Sequence, residues 1–240
     1  MSGPDLSAIR ALVFDVFGTV VDWRGSVIRA GEALGRAKGL AVDWPRFADQ
    51  WRREGYVDAI ARIRRGEEPW ADADALHRRK LDELLPAYGL SGLSEAEIAD
   101  FSRVWHRLDP WPDAVAGLTR LKRGFVISPL SNGTLALLTN MAKRAGLPWD
   151  CVLSADLFGR YKPDPATYLG AARLLGMVPT ELMMVAAHAG DLRAAREHGL
   201  RSAFVARPDE WGPGGRPDRP PDGVDVAVAS FVELAERLGV

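Results

Sequence analysis

The chain has 240 residues, 47% hydrophobic and 26% charged, which are the proportions of an ordinary globular protein with room for one large domain or a core with an insert. Its 31 Lys and Arg against 32 Asp and Glu leave a net charge of -1, so no global field draws nucleic acid or an anionic membrane. Cys151 is the sole cysteine, which excludes an intramolecular disulfide and a cysteine-cluster metal site, and no apolar run approaches the ~20 residues of a membrane span. Met1 to Arg10 lacks the apolar core of a secretory signal, so the reading predicts a soluble cytoplasmic protein.

The first predicted element is a buried strand over Ala11 to Phe14, delivering Asp15 to its carboxyl end just before Gly18-Thr19. A carboxylate so placed needs a partner. Asp22-Trp23-Arg24-Gly25-Ser26 breaks the pattern, and Ser26 is expected to cap a helix running to about Lys38, ended by Gly39. Asp43-Trp44-Pro45 is a helix start, and Phe47, Trp51, Val57, Ile60 and Ile63 predict one or more long amphipathic helices that include Arg52. Further helices are expected over Ala73–Tyr88 and Ser94–Leu108, the latter opened by the capping-box pattern Ser94-Glu95-Ala96-Glu97. No strand is predicted between Trp23 and Leu108, so the stretch reads as an all-helical insert.

Beyond Asp109-Pro110-Trp111-Pro112, strand and helix patterns alternate. A helix over Asp113–Leu121 precedes a strand from Phe125 to Leu130 that ends in Ser131-Asn132-Gly133-Thr134, and a helix follows over Leu135–Ala145. A third strand over Cys151–Ser154 leads to a polar segment containing Lys162-Pro163-Asp164, then a helix from about Ala166 to Leu175. A fourth strand, Leu182–Ala187, ends in His188-Ala189-Gly190-Asp191 before a helix to His198. Ser202–Val205 and Val226–Val228 are the remaining strands, and the Pro- and Gly-rich stretch Pro208–Asp222 is expected to be an exposed loop. Such alternation implies a parallel sheet flanked by helices, an α/β fold.

Polar clusters recur where strands end: Asp15 with Thr19, Ser131 with Asn132, Lys162, and His188 with Asp191. Each has a plain alternative as a turn or a helix cap. In a parallel sheet, however, all four return to one edge, where ligands bind.

The order Asp15-x-Phe17-Gly18-Thr19, Ser131-Asn132-Gly133, Lys162-Pro163-Asp164 and Asp191 resembles the haloacid dehalogenase superfamily, and within it the L-2-haloacid dehalogenase branch. The resemblance covers nearly the whole chain. It implies a Rossmann-like core formed by residues 1–22 and 111–240, and a helical cap, 23–110, inserted after the first strand. Three details favour the branch. Phe17 stands where the superfamily's phosphatases carry an acid/base Asp, Arg52 after Trp51 matches the branch's cap arginine, and Tyr168 follows Lys162 as its tyrosine does.

The resemblance implies that Asp15 attacks C2 of an (S)-2-haloacid, forming an ester that water hydrolyses to a 2-hydroxy acid. Lys162 keeps Asp15 ionised. Ser131 and the backbone N–H groups of Val16 and Phe17 bind the substrate carboxylate, while Arg52 and Asn132 cradle the halide. Thr19 and Asp191 orient the nucleophile, Lys162 and water, and Tyr168 supports Lys162 or the substrate acid. A halide leaves without a proton and the reacting carbon is not anionic, so neither cofactor nor metal is expected. The implied partners are the haloacid and a second copy of the chain in a homodimer, with no nucleic acid and no membrane.

The branch's Ser-Ser-Asn is here Ala186-Ala187-His188, so His188 is expected to activate water or donate to the leaving halide. Trp23 is expected to narrow the halide site. The His-Ala-Gly-Asp and Asp-Trp combination resembles family members that release fluoride from fluoroacetate, which adds fluoroacetate to the expected substrates. Two alternatives stand beside this reading: a Mg2+-dependent phosphohydrolase with an unusual Phe17, and a non-catalytic binding protein on the same fold.

Overall fold

A computed structural model describes residues 5–240. Six parallel strands form one sheet in the order β5-β4-β1-β6-β7-β8. These are β1 (Ala11–Phe14), β4 (Val126–Ser131), β5 (Leu153–Ser154), β6 (Leu182–Ala186), β7 (Arg201–Val205) and β8 (Val226–Val228). Central β1 pairs with β4 on one side and β6 on the other, Phe14 lying opposite Pro129 and Val185. All four β1 side chains are fully buried, as expected of a strand covered on both faces. The loops bearing Asp15, Asn132, Lys162 and His188 therefore leave the sheet at the same edge.

Helices follow the strands: α6 (Ala114–Leu121), α7 (Leu135–Ala145), α8 (Pro165–Leu174), α9 (Ala189–Glu197) and α10 (Phe231–Arg237). Between β2 (Val21–Asp22) and β3 (Asp109–Pro110), which pair antiparallel, the chain is helical. That stretch contains α1 (Trp23–Lys38), α2 (Trp44–Arg52), α3 (Asp58–Arg64), α4 (Ala73–Ala87) and α5 (Glu95–Ser102). A π-helical turn, Arg53–Val57, joins α2 to α3, and α5 continues into a 3-10 turn over Arg103–Arg107. The capping box at Ser94 and the Asp43 cap form as read from the sequence.

Several sequence expectations are corrected. The first helix begins at Trp23, three residues before Ser26, because the Asp22 side chain accepts from the Gly25 N–H at 2.8 Å and caps it. The third strand shrinks to Leu153–Ser154 at the sheet edge, and the short β2–β3 pair and α10 carry too little pattern to have been foreseen. The stretch Pro208–Asp222 is not uniformly exposed: Glu210 is 2% exposed, and Asp218 accepts from the first N–H of α9 at 2.8 Å. Its entry is fixed by buried Arg207, which donates to the Thr19 carbonyl at 2.8 Å and to the Asp113 carboxylate at 2.7 and 3.1 Å.

Candidate active site

A cavity of about 370 Å³ lies between the strand-end loops and the helical insert, where Val57 and the α3 residues Ile60, Ala61 and Arg64 line it. Asp15 lines it, one residue beyond β1, and its carboxylate accepts three hydrogen bonds, from Lys162, Thr19 and His188. Lys162 Nζ donates to Oδ1 at 3.0 Å, while Thr19 Oγ1 at 2.7 Å and His188 Nδ1 at 3.0 Å both meet Oδ2. With Lys162 also bonded to Asp191 at 2.5 Å, the ammonium bridges two buried carboxylates. Tyr168, on α8, donates to the second oxygen of Asp191 at 2.6 Å.

Each position follows from local sequence. Asn132, at the end of β4, accepts the Lys162 backbone N–H at 2.7 Å and so ties the lysine loop to the neighbouring strand. Thr19 accepts the Ala187 N–H at 2.9 Å, which joins the loop after β1 to the end of β6. Asp191 sits in the first turn of α9, where a helix favours negative charge.

Burial by itself would raise the Asp15 carboxyl, but Lys162, then His188 and Thr19, hold it well below the usual carboxylate range. Lys162 is likewise penalised by burial, yet Asp15 and Asp191 raise it above its ordinary value. Tyr168 is pushed up by burial and by Asp191, so it remains a donor.

Sequence reasoning missed Glu210. Its carboxylate lies 3.0 and 3.1 Å from His188 Nε2 and accepts Trp23 Nε1 at 3.2 Å. A Cβ at Gly18, where φ is +86°, would sit 2.0 Å from Glu210 Oε1, so only glycine leaves room for this carboxylate. The one signal in the sequence is Trp211, an aromatic inside a polar loop, which packs edge-on against Trp23. His188 thus has a carboxylate at each ring nitrogen. Burial opposes its charge, but hydrogen bonds to Asp15 and Glu210 raise its pKa to about 10, and the ring is an imidazolium at neutral pH.

That shift makes stability depend on pH. With a folded value of about 10 against 6.5 unfolded, the stabilisation from His188 is complete below pH 6.5 and is lost as pH rises through 10. Denaturant unfolding of wild type and His188→Asn between pH 6.5 and 10 should show the stability gap narrowing with pH. A gap that widens would mean a neutral ring.

Arg52, at the end of α2, is buried over three aromatic faces, 4.5 Å from the Tyr56 ring centroid, 5.1 Å from Phe17 and 5.5 Å from Trp23. Its Nε and Nη1 have no partner among the described residues. The other buried side-chain polar atoms without partners among the described residues are Tyr56 Oη, Trp105 Nε1 and both His77 nitrogens, and these rings pack on one another. A buried guanidinium without a carboxylate is costly, and an anion beside it removes that cost. Ser131 is buried, and its Oγ accepts the Gly133 N–H at 3.3 Å, leaving the hydroxyl hydrogen free to donate. Trp23 does not line the cavity: its indole N–H is committed to Glu210 and its ring supports Arg52.

Residues 9–199 match the family model of haloacid dehalogenase-like hydrolases. The chain belongs to that family. An (S)-2-haloacid dehalogenase of Xanthobacter autotrophicus is 32% identical over 204 residues, spanning 83% of this chain and 76% of the relative. Among solved structures, an L-2-haloacid dehalogenase superposes with a TM-score of 0.90 at 46% identity, covering 96% of this chain and 100% of that one. A defluorinating L-2-haloacid dehalogenase superposes with a TM-score of 0.92 at 42% identity, covering 97% and 96%. The fold expected from the motif order, a Rossmann-like parallel sheet flanked by helices, is the fold of these hydrolases.

Proposed function

We propose that this family member hydrolyses short-chain (S)-2-haloacids, fluoroacetate included, to 2-hydroxy acids and halide through an ester on Asp15. The observation that carries the reading is an ionised, lysine-paired carboxylate at the cavity wall with an aromatic ring, Phe17, where an alkoxide leaving group would need an acid. A halide is a weak base and departs as the anion, so the missing acid costs nothing in this reaction. It would cripple phosphate-ester hydrolysis. The names of the relatives support the same substrate class, and one of them is a defluorinating enzyme.

In this reading Asp15 attacks C2 in line with the departing halide, inverting a chiral carbon. Ser131 and the Val16 and Phe17 N–H groups hold the substrate carboxylate. Arg52 and Asn132 receive the halide, the charge that develops in the transition state. The unpartnered guanidinium nitrogens of Arg52 support this assignment, since a halide supplies the anion they lack. Residues 23–110 act as the cap over a core of 1–22 and 111–240. A cytoplasmic homodimer extends the reading on the family resemblance.

A single halide-release assay with chloroacetate, L- and D-2-chloropropionate and fluoroacetate, each with and without EDTA, tests this. The expected result is halide from the L enantiomer and the acetates, unaffected by EDTA. No halide from any of them, together with Mg2+-dependent phosphate release from p-nitrophenyl phosphate, would overturn it.

A further inference from the structure

A carboxylate has about four lone-pair positions, two on each oxygen. In Asp15 both positions on Oδ2 are taken, by Thr19 Oγ1 at 2.7 Å and His188 Nδ1 at 3.0 Å. Among the described residues Oδ1 accepts only Lys162 Nζ, at 3.0 Å, and retains one free pair. Oδ1 is therefore the oxygen able to attack carbon. Once it is bonded to C2, Oδ2 is the carbonyl oxygen of the ester, and its two donors are already in place.

Donors stabilise a tetrahedral intermediate when they lie about 2.7–3.1 Å from the oxygen on which charge develops. Both contacts fall within that range. Neither ring nitrogen of His188 offers a lone pair for abstracting a proton from water, because each faces a carboxylate. The side chain that keeps the ring in this state is Glu210, buried against Trp23 Nε1 and seated over Gly18.

We propose that His188 is the oxyanion donor for hydrolysis of the Asp15 ester, acting on Oδ2 together with Thr19, and that Glu210 is the residue that positions and charges it. The proposal rests on the reading of Asp15 as nucleophile. Water attacks Cγ of Asp15, forming a C–O bond as the carbonyl pair moves onto Oδ2 between the two donors. One water proton passes to the Asp191–Lys162 pair. The pair on Oδ2 then re-forms the carbonyl and the Cγ–Oδ1 bond breaks. The departing Oδ1 leaves with the product and takes a proton from Lys162, which regains one from Asp191. The second water proton is lost from the new Asp15 carboxyl to solvent. The sum is ester plus water giving carboxylate, 2-hydroxy acid and one proton.

Rapid-quench halide release from chloroacetate by wild type, His188→Gln and Glu210→Gln separates the two half-reactions. Both variants should give a burst of about one halide per active site at no less than the wild-type rate, because the alkylation step loses no donor to the leaving group. Steady-state turnover should then fall roughly 100- to 1000-fold. Mass spectrometry should find the Asp15 peptide carrying a carboxymethyl ester. A loss that only reflects disturbed packing would lower burst and steady state together. Glu210→Asp, which keeps the charge, should show the same split at smaller size and serves if either amide variant fails to fold. Equal loss in both phases would overturn the proposal while leaving the dehalogenase reading intact, and no ester on Asp15 in slowed variants would overturn the proposal together with Asp15 as the nucleophile. Absence of halide release by wild type would overturn both.

Discussion

Asp15→Asn is expected to abolish halide release from chloroacetate, with kcat falling roughly 10,000-fold or more, as for other nucleophile deletions. The amide keeps the shape of the side chain, so the cavity and the Thr19 contact survive while the attacking pair does not. Lys162 retains Asp191 as a partner at 2.5 Å, so this variant should fold. Binding of a non-reactive 2-hydroxy acid should persist, because Ser131 and the Val16 and Phe17 N–H groups, which hold its carboxylate, are untouched. The measurement is halide release with intact-mass analysis, since deamidation would restore Asp15. Activity that remains in undeamidated protein would assign the nucleophile elsewhere.

Lys162→Met carries the larger structural penalty. Lys162, 8% exposed, places its ammonium between Asp15 and Asp191, whose carboxylates are nearly as buried. Without it, two carboxylates share a poorly solvated site, and removing one partner from a buried ion pair costs about 3–5 kcal/mol. For a chain of this size that corresponds to a fall in Tm on the order of 10 °C. The sign of the pH response separates this cause from lost packing. In wild type, Asp15 titrates well below its ordinary value, so its contribution is present at neutral pH and is lost only in strong acid. In the variant the cost of burying the charge is no longer opposed by Lys162, so Asp15 takes up a proton at higher pH and the strain is relieved there. Thermal unfolding at pH 7.5 and pH 5 should show the deficit shrinking in acid. A pH-independent deficit would point to packing alone. Halide release should be lost in parallel, since a protonated Asp15 is not a nucleophile.

The parts of the site that lie at strand ends were legible because a parallel sheet forces them together. Asp15, Asn132, Lys162 and Asp191 each follow an apolar run, and four such runs in one sheet deliver their ends to one edge. Arg52 could be placed only through the family pattern, because an arginine on an amphipathic helix carries no signal of where that helix will pack. Glu210 escaped altogether. It sits in a stretch whose Pro, Gly and charge content read as solvent-facing, and its burial depends on Arg207 anchoring the loop to Thr19 and Asp113. The size of Trp23 suggests a place in the halide pocket, yet its indole N–H donates to that same carboxylate.

By itself the sequence determined the alternation of elements, the helical insert, the acid at the end of β1 and the aromatic residue that follows it, because these are properties of local pattern and residue type. Tertiary structure alone decided what His188 is. A histidine at a strand end can be base, donor or structural tether, and the choice is made by the groups that face its two nitrogens. Here Asp15 and Glu210 face them, and they are 195 residues apart in the chain. Two carboxylates outweigh the cost of burying the charge and fix the ring as a donor.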